Sequence, residues 1–258
     1  MVAPDLAALA GAAGLGEASI YVESLAPRGP RWARDDGRWR YPASTIKLPL
    51  AVATAARIAR GELAWDARVR VDAANMTPND APSPLEPGYV ATVRELVELM
   101  LQRSDNVATN QLYDVLDRRR ATADLAALGF RDVAFRRKLS GADPLIDDPH
   151  ADGRNSFPAR EAAALLRALA EDRLPLATDL RAILASNWWD VKLSRGLDAG
   201  DAFAHKPGDT DEVSHDAGIL TAADGGRWIV VVYTDLPTSD EHDLRFGAFM
   251  RSLRPYLT

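Results

Sequence analysis

The chain has no cysteine, and only four of its 31 basic residues are lysines. The first absence removes a disulfide scaffold, a thiolate metal site and a cysteine nucleophile together, and leaves the redox compartment open. The second means that Arg carries nearly all the positive charge. Lys47, Lys138, Lys192 and Lys206 therefore each invite a question, because a lysine can lose its proton and an arginine cannot. A long basic run is also missing, and with a net charge of −6 this argues against binding nucleic acid through its phosphates. The longest apolar run, residues 48–56, is closed by Arg57, well short of the ~20 residues a membrane span needs. The opening Met1-Val2-Ala3-Pro4-Asp5 has an acid where an export leader has Lys or Arg, and the first basic residue is Arg28. As written the chain reads as cytoplasmic, and a trimmed N-terminus would make it periplasmic or secreted.

What is present suits a folded domain. At 258 residues, 47% of them hydrophobic, the chain can bury roughly three quarters of its unfolded surface without a staple. Residues 5–13 read as a short Ala-rich helix, 18–25 as an edge strand ending before Pro27, and 31–34 as a second strand closed by Asp35-Asp36-Gly37. From Ser44 the period turns helical, with 45–61 as one helix stopped by Gly61. Thr92-Val93-Arg94-Glu95 is a capping box opening a helix through Leu96, Leu99 and Met100. Further helices are predicted at 107–116, 159–170 and 178–186, and a Pro-rich surface loop at 77–88. Short strands return at 202–206, 215–221 and 228–235, with a hairpin turn at Asp224-Gly225-Gly226, and 239–253 reads as a closing helix. The apolar run Ile229 to Tyr233 suits a strand buried on both faces. The expectation is an α+β fold of one domain, 1–258. An antiparallel sheet lobe (about 1–43 and 200–258) would flank a mostly helical lobe (about 44–199), with a cleft between them.

Three short segments carry possible chemistry. In Ser44-Thr45-Ile46-Lys47 the spacing puts Lys47 on the same helix face as Ser44. A lysine there, beside a second cation, is pushed toward its neutral form and can take the serine proton. Ser-x-x-Lys is also common by chance, and Ser44 by itself suits an N-cap. Ser104-Asp105-Asn106 sits between two predicted helices, where Asp105 or Asn106 suits an N-cap. A functional reading makes Ser104 a proton carrier and Asn106 a donor to a substrate carbonyl. His205-Lys206-Pro207-Gly208 ends a predicted strand. It is either a plain turn, or Lys206 holds an anionic group or biases the proton on Ser104 while Gly208 lets a ligand backbone approach.

Taken together and in this order, Ser44/Lys47, Ser104/Asp105/Asn106 and Lys206/Gly208 resemble the signature of class A β-lactamases and penicillin-binding proteins. The two serines stand sixty residues apart, as in class A, and residues 41–49 and 99–110 also look like family sequence. The resemblance covers most of the chain. It implies a serine hydrolase in which Ser44 attacks a strained or activated carbonyl and Lys47 accepts its proton. The oxyanion would lie between the backbone N–H groups of Ser44 and Asp209. Ser104 and Lys206 would return a proton to the departing nitrogen, and Asn106 would orient the substrate amide. The implied partner is a small β-lactam or a peptidoglycan-like peptide bound by a monomer, with no cofactor and no metal. A D,D-peptidase or esterase, or a non-hydrolysing penicilloyl- or peptidoglycan-binding protein, remains the alternative.

Two departures stand against the family pattern. A class A enzyme carries a glutamate on the loop that activates the deacylating water, but no Glu lies between Glu98 and Glu161. Family spacing lands near Leu139-Ser140-Gly141, and a glutamate at Ser140 or Gly141 is the expected repair. The nearby acids are Asp143, Asp147, Asp148 and Asp152. Pro207 replaces the family Thr or Ser whose hydroxyl helps hold a β-lactam carboxylate, and Asp209-Thr210-Asp211-Glu212 crowds that spot with negative charge. Thr210 restores the hydroxyl only if the strand carries a bulge. Gly153-Arg154-Asn155 and His215-Asp216-Ala217-Gly218 look like a class A-like subgroup of unsettled activity. His150, His205, His215 and His242 show no metal-ligand spacing. Trp188-Trp189 reads as a cleft wall or as packing, and Lys138 and Lys192 as surface residues.

Overall fold

The computed structural model describes residues 3–258. Helix α1 (Leu6–Ala12) leads to strands β1 (Ser19–Ser24) and β2 (Arg31–Arg34). A 3-10 turn (Ala43–Ile46) opens helix α2 (Lys47–Ala59), and a two-stranded ribbon of β3 (Arg68–Arg70) and β4 (Val90–Thr92) follows. Helices α3 (Val93–Gln102), α4 (Asn106–Leu116), α5 (Arg118–Ala127), α6 (Ala159–Ala170) and α7 (Ala177–Leu184) come next. Strands β5 (Ala202–Asp209), β6 (Ser214–Thr221) and β7 (Arg227–Thr234) then precede helix α8 (Asp240–Leu253). Among the described residues no helix is long and apolar enough to cross a membrane.

The sheet is antiparallel in the order β2-β1-β7-β6-β5, so strands from both ends of the chain make one layer. Its two faces explain the unbroken apolar run in β7. Trp228, Val230 and Val232 pack against α8 and α1, while Ile229, Val231 and Tyr233 face the helices of the central region. Burying each such side chain is worth about 1.5–3 kcal/mol. Helix α2 runs through the larger core, with every residue from Leu48 to Ala56 buried. The predicted capping box at Thr92 forms, its hydroxyl accepting from Glu95 N at 3.1 Å.

Four expectations change. Strand β1 lies between β2 and β7 rather than at an edge, and all its residues are buried. The helix expected at 45–61 splits into the 3-10 turn and α2. Helix α5 was not anticipated, since Arg118-Arg119-Arg120 shows no apolar stripe and the helix buries only Ala121 and Leu125. Strand β5 continues past Lys206 to Asp209. Thr210 donates its N–H to Val213 O at 2.9 Å, which fixes the alternation of the ladder. Lys206 and Gly208 then exchange bonds with β6, while Pro207 and Asp209 turn their backbones to the free edge. A proline at an outward-facing edge position costs no ladder bond.

Candidate active site

The 3-10 turn that carries Ser44 is pinned from the sheet. Tyr233 donates its hydroxyl to Thr45 Oγ1 at 2.8 Å, and Thr45 donates both N–H (3.1 Å) and Oγ1–H (2.6 Å) to Pro42 O. His215, buried and stacked on Tyr233 with ring centroids 4.2 Å apart, is pushed down to about 4 by burial. Nε2 of the neutral ring lies 2.8 Å from Tyr41 O, and Nδ1 lies 2.7 Å from Ser214 O and 3.2 Å from Thr234 N. Ser44 is no N-cap in the side-chain sense: the turn has Pro42 at its cap position. As the first residues of a helical turn, Ala43 and Ser44 have amides with no intrahelical acceptor, and Thr45 N–H is the first to find one. Gly208 lies against this turn, where a Cβ would stand 2.9 Å from both Ser44 N and Thr45 N. That glycine is there for the approach of the protein's own backbone, not a ligand's.

Lys47 is fully buried. Its Nζ lies 2.6 Å from Ser104 O, 2.8 Å from Asn106 Oδ1, 2.9 Å from Ser44 Oγ and 3.0 Å from Ser104 Oγ. The carbonyl and amide oxygens can only accept, so they take two N–H groups, whereas either hydroxyl can donate. A neutral amine fits this set, with two N–H bonds made and a lone pair facing a serine hydroxyl. Burial first, and the nearby Lys206 second, hold the ammonium well below its ordinary range.

Asp105 is the N-cap of α4, accepting from Ala108 N at 2.8 Å, so the middle of this motif is structural. Ser104 itself takes a left-handed φ of +60° and Ala43, next to Ser44, one of +46°. Such backbone costs roughly 1–3 kcal/mol per residue and aims both serines. The loop at 77–88 buttresses the site, a role that no sequence signal announced. Asn106 N donates to Asn79 Oδ1 (2.6 Å), Asn106 Nδ2 to Pro78 O (3.2 Å), and Gly141 N to Thr77 Oγ1 (2.8 Å). With its Oδ1 on Lys47, Asn106 points its amide nitrogen away from the lysine.

Lys206 is also fully buried. Burial lowers it to about 7 with help from Lys192, against the pull of Asp209 and Asp216. Its Nζ donates to Pro207 O at 2.9 Å, and it faces the same cavity as Ser44, Ser104 and Asn106. Asp209 leaves its N–H on the sheet's edge beside the Ser44 turn. Under β5, His205 lies with Nδ1 2.8 Å from Asp216 Oδ1 and Nε2 3.0 Å from Asp190 Oδ1. Burial opposes the imidazolium, but Asp216 and Asp190 prevail and raise it to about 9.

Lys192 is not a surface residue: its side chain is 1% exposed, 2.6 Å from Asp209 Oδ2 and 3.1 Å from Asp243 Oδ1. Lys138 is likewise mostly covered and bonds Asp114 (2.9 Å) and Asn75. The partners of both are far away in sequence. Thr210 does not restore the missing hydroxyl. Its Oγ1 accepts from Glu212 N and Val213 N, both at 3.1 Å, and closes the hairpin.

The cavity holds about 670 Å³, and Leu139, Asp143 and Trp189 share its lining with the residues above. Trp189 forms wall, while Trp188 is exposed beneath the Arg103 guanidinium, 4.0 Å away. Of the loop acids, Asp148 is held by Arg118 (2.5 and 2.7 Å) and Lys138 N (2.7 Å), and only Asp143 lines the cavity. Asn110 grips Leu139 on both sides, donating to its O (2.9 Å) and accepting from its N (2.8 Å). Leu139, 5% exposed, is thus clamped at the cavity, which Ser140, Gly141, Ala142, Asp143 and Leu145 also line. A glutamate at Ser140 or Gly141, the expected repair, would disturb contacts already made. A Cβ on Gly141 would lie 1.9 Å from Pro78 O, and Ser140 Oγ is bonded to Ile146 N (2.7 Å). The two subgroup segments are structural braces as well. Asn155 Oδ1 accepts from Arg136 N (2.8 Å) and Arg137 N (3.1 Å), Arg154 stacks 4.7 Å over Tyr41, and a Cβ on Gly218 would sit 2.5 Å from His205 Cβ.

The family model described as the β-lactamase enzyme family matches residues 1–250. A β-lactamase from Sphaerobacter thermophilus is similar at 26% identity and a TM-score of 0.82, over 96% of this chain and 95% of that one. The ancestral class A β-lactamase GNCA is similar at 26% identity and a TM-score of 0.82, over 97% and 98%. A PBP-A variant with glutamate in place of a leucine, an acyl-enzyme complex with penicillin G, has a TM-score of 0.84 over 97% and 95%. At 21% identity that likeness is one of fold. No curated protein matches the sequence.

Proposed function

This chain belongs to the β-lactamase enzyme family, and we propose that it is a serine hydrolase whose Ser44 is acylated by a β-lactam or a related amide or ester and releases the acyl group slowly. The observation that carries this reading is the hydrogen-bond set of Lys47. Two of its N–H groups are taken by obligate acceptors, and its lone pair is left for a serine proton 2.9 Å away. Ser44 Oγ gives its proton to Lys47 Nζ and forms the bond to the carbonyl carbon. The carbonyl oxygen becomes an oxyanion between the Ser44 and Asp209 N–H groups, where one lost donor typically costs 10²–10³-fold. The C–N or C–O bond then breaks. The leaving atom takes the Ser104 hydroxyl proton, which Lys47 replaces across 3.0 Å, and Lys206 supplies positive potential and a second proton source. Asn106 Nδ2 orients the amide of the substrate.

Release needs a water to attack the ester; Leu139, the loop residue that Asn110 clamps at the cavity, cannot take a proton, and the loop's carboxylate in the lining is the shorter Asp143. Without a general base at the Leu139 position, deacylation forgoes a factor of typically 10²–10⁴. Intact-protein mass spectrometry after mixing with benzylpenicillin tests the reading. The expected result is a persistent adduct of one penicilloyl group, absent in Ser44→Ala. Return to the free mass within seconds would overturn slow release, and the absence of any adduct would overturn acylation by β-lactams.

A further inference from the structure

Asp209 brings more than a backbone N–H to the cavity. Its carboxylate accepts from Lys192 Nζ at Oδ2 (2.6 Å) and from Ser214 Oγ at Oδ1 (2.9 Å). An ammonium on one oxygen and a hydroxyl on the other is the charge-assisted pairing with which proteins hold a ligand carboxylate. Here both donors already hold one of the chain's own. Lys192 is 1% exposed and Asp209 28%, and both line the cavity that contains Ser44, so Asp209 covers Lys192 on the solvent side. Asp243 lies 3.1 Å from the same ammonium, which gives the three charges a net value of −1. The other cation facing the cavity, Lys206, donates to Pro207 O, and Pro207 brings no hydroxyl to pair with it.

From this geometry we infer that Asp209 is a specificity-determining residue: it fills the carboxylate seat made by Lys192 and Ser214, so the cleft selects substrates with no negative group beside the bond that Ser44 attacks. The inference rests on Ser44 being acylated as proposed above. A tethered carboxylate is always present at its seat, whereas a substrate carboxylate arrives at its bulk concentration and must displace it. The substrate class that fits is a neutral amide or ester rather than a free acid such as a penicillin carboxylate or a peptide C-terminus.

The experiment compares acylation rates by benzylpenicillin and by its methyl ester, which differ in that one charge. The unmodified protein is expected to react with the ester at least as fast as with the acid. Asp209→Asn frees the Lys192 ammonium, and the acid-over-ester ratio should rise by about 10- to 100-fold, the usual worth of a hydrogen bond to a charged group. Adding Lys192→Met should abolish that rise. A wild-type protein that prefers the acid tenfold overturns the inference, even if every variant fails to fold. So does a folded Asp209→Asn protein with an unmoved ratio, or a rise that survives Lys192→Met. Adducts with neither compound would overturn the acyl-enzyme reading itself, an outcome distinct from adducts whose ratio does not move.

Discussion

Replacing Leu139 by glutamate should convert a persistent acyl-enzyme into one that turns over. The main chain needs no rebuilding, because Asn110 already holds Leu139 N and O at 2.8 and 2.9 Å and the side chain already lines the cavity. The cost is stability. Leu139 is 5% exposed, so its burial is worth about 1.5–3 kcal/mol, and a desolvated carboxylate in its place adds about 1–3 kcal/mol. The sum, about 2.5–6 kcal/mol, lowers Tm by roughly 5–20 °C for a chain of this size and is less than the roughly 10 kcal/mol in the middle of the range for a typical domain. The gain is a general base worth about 10²–10⁴-fold in deacylation, or about 3–5 kcal/mol off the barrier. Burial should raise the new carboxyl above its ordinary value, so the deacylation rate should climb with pH through that raised midpoint. Adduct decay after a brief pulse of benzylpenicillin, followed by intact mass, reads the rate directly, and a thermal melt reads the cost. A Leu139→Glu protein that melts cooperatively and acylates normally, but whose adduct decays within threefold of wild type, would refute the placement of the missing base.

Three further substitutions test separate parts of the argument. Lys206 titrates at about 7, so acylation should fall as pH rises past neutrality. In Lys206→Arg, whose charge persists, that alkaline limb should vanish from a pH–rate profile. His205 is protonated up to about 9 in the fold against about 6.5 unfolded. Its contribution, about 3 kcal/mol, is complete below pH 6.5 and is lost as pH rises to 9. Lys206 has the opposite sign, its depressed value stabilising the fold as pH rises above 7. Denaturant unfolding of wild type minus His205→Asn isolates the histidine, and a difference that does not shrink between pH 6.5 and 9 would contradict the assignment. Gly208→Ala should lower the acylation rate at least tenfold and lower Tm, because its Cβ would stand 2.9 Å from Ser44 N and Thr45 N; unchanged acylation would show that the turn gives way freely.

The four lysines show what could be read in the sequence and what could not. Lys47 and Lys206 stand out in the sequence because each lies in a short motif whose order and spacing match a family signature, and the structure places both at the Ser44 cavity. Lys192 does not. Asp209 and Asp243 reach it only when β5 and α8 fold over the segment before them, and nothing near Lys192 in sequence distinguishes it from a solvated lysine. The same holds for Asn79, whose bond to Asn106 N comes from a Pro-rich loop that reads as mere surface. The two-face burial of Ile229 to Tyr233 was visible as an unbroken apolar run. The passage of β5 through Pro207 was not, because whether a proline ends a strand depends on which edge its nitrogen faces, a matter of register that composition does not carry.

The side chains of Leu139 and Asp209 share a physical form, and both stand outside the hydrogen bonds that hold Ser44 and Lys47. At Leu139 the place over the cavity that a base would need is filled by an apolar side chain. At Asp209 the seat a substrate carboxylate would need is filled by the protein's own carboxylate. Neither side chain takes part in the bonds among Ser44, Lys47, Ser104 and Asn106. The Asn110 clamp on Leu139 and the Lys192–Asp209 pair also use different donors and acceptors. Changes at positions that share no partners combine nearly additively. Leu139→Glu should therefore shorten the life of the adduct, and Asp209→Asn shift the choice between acid and ester, by the same factors alone or together. A doubly substituted protein whose two factors fail to multiply would mean that the loop and the edge strand are coupled through a contact outside these bonds.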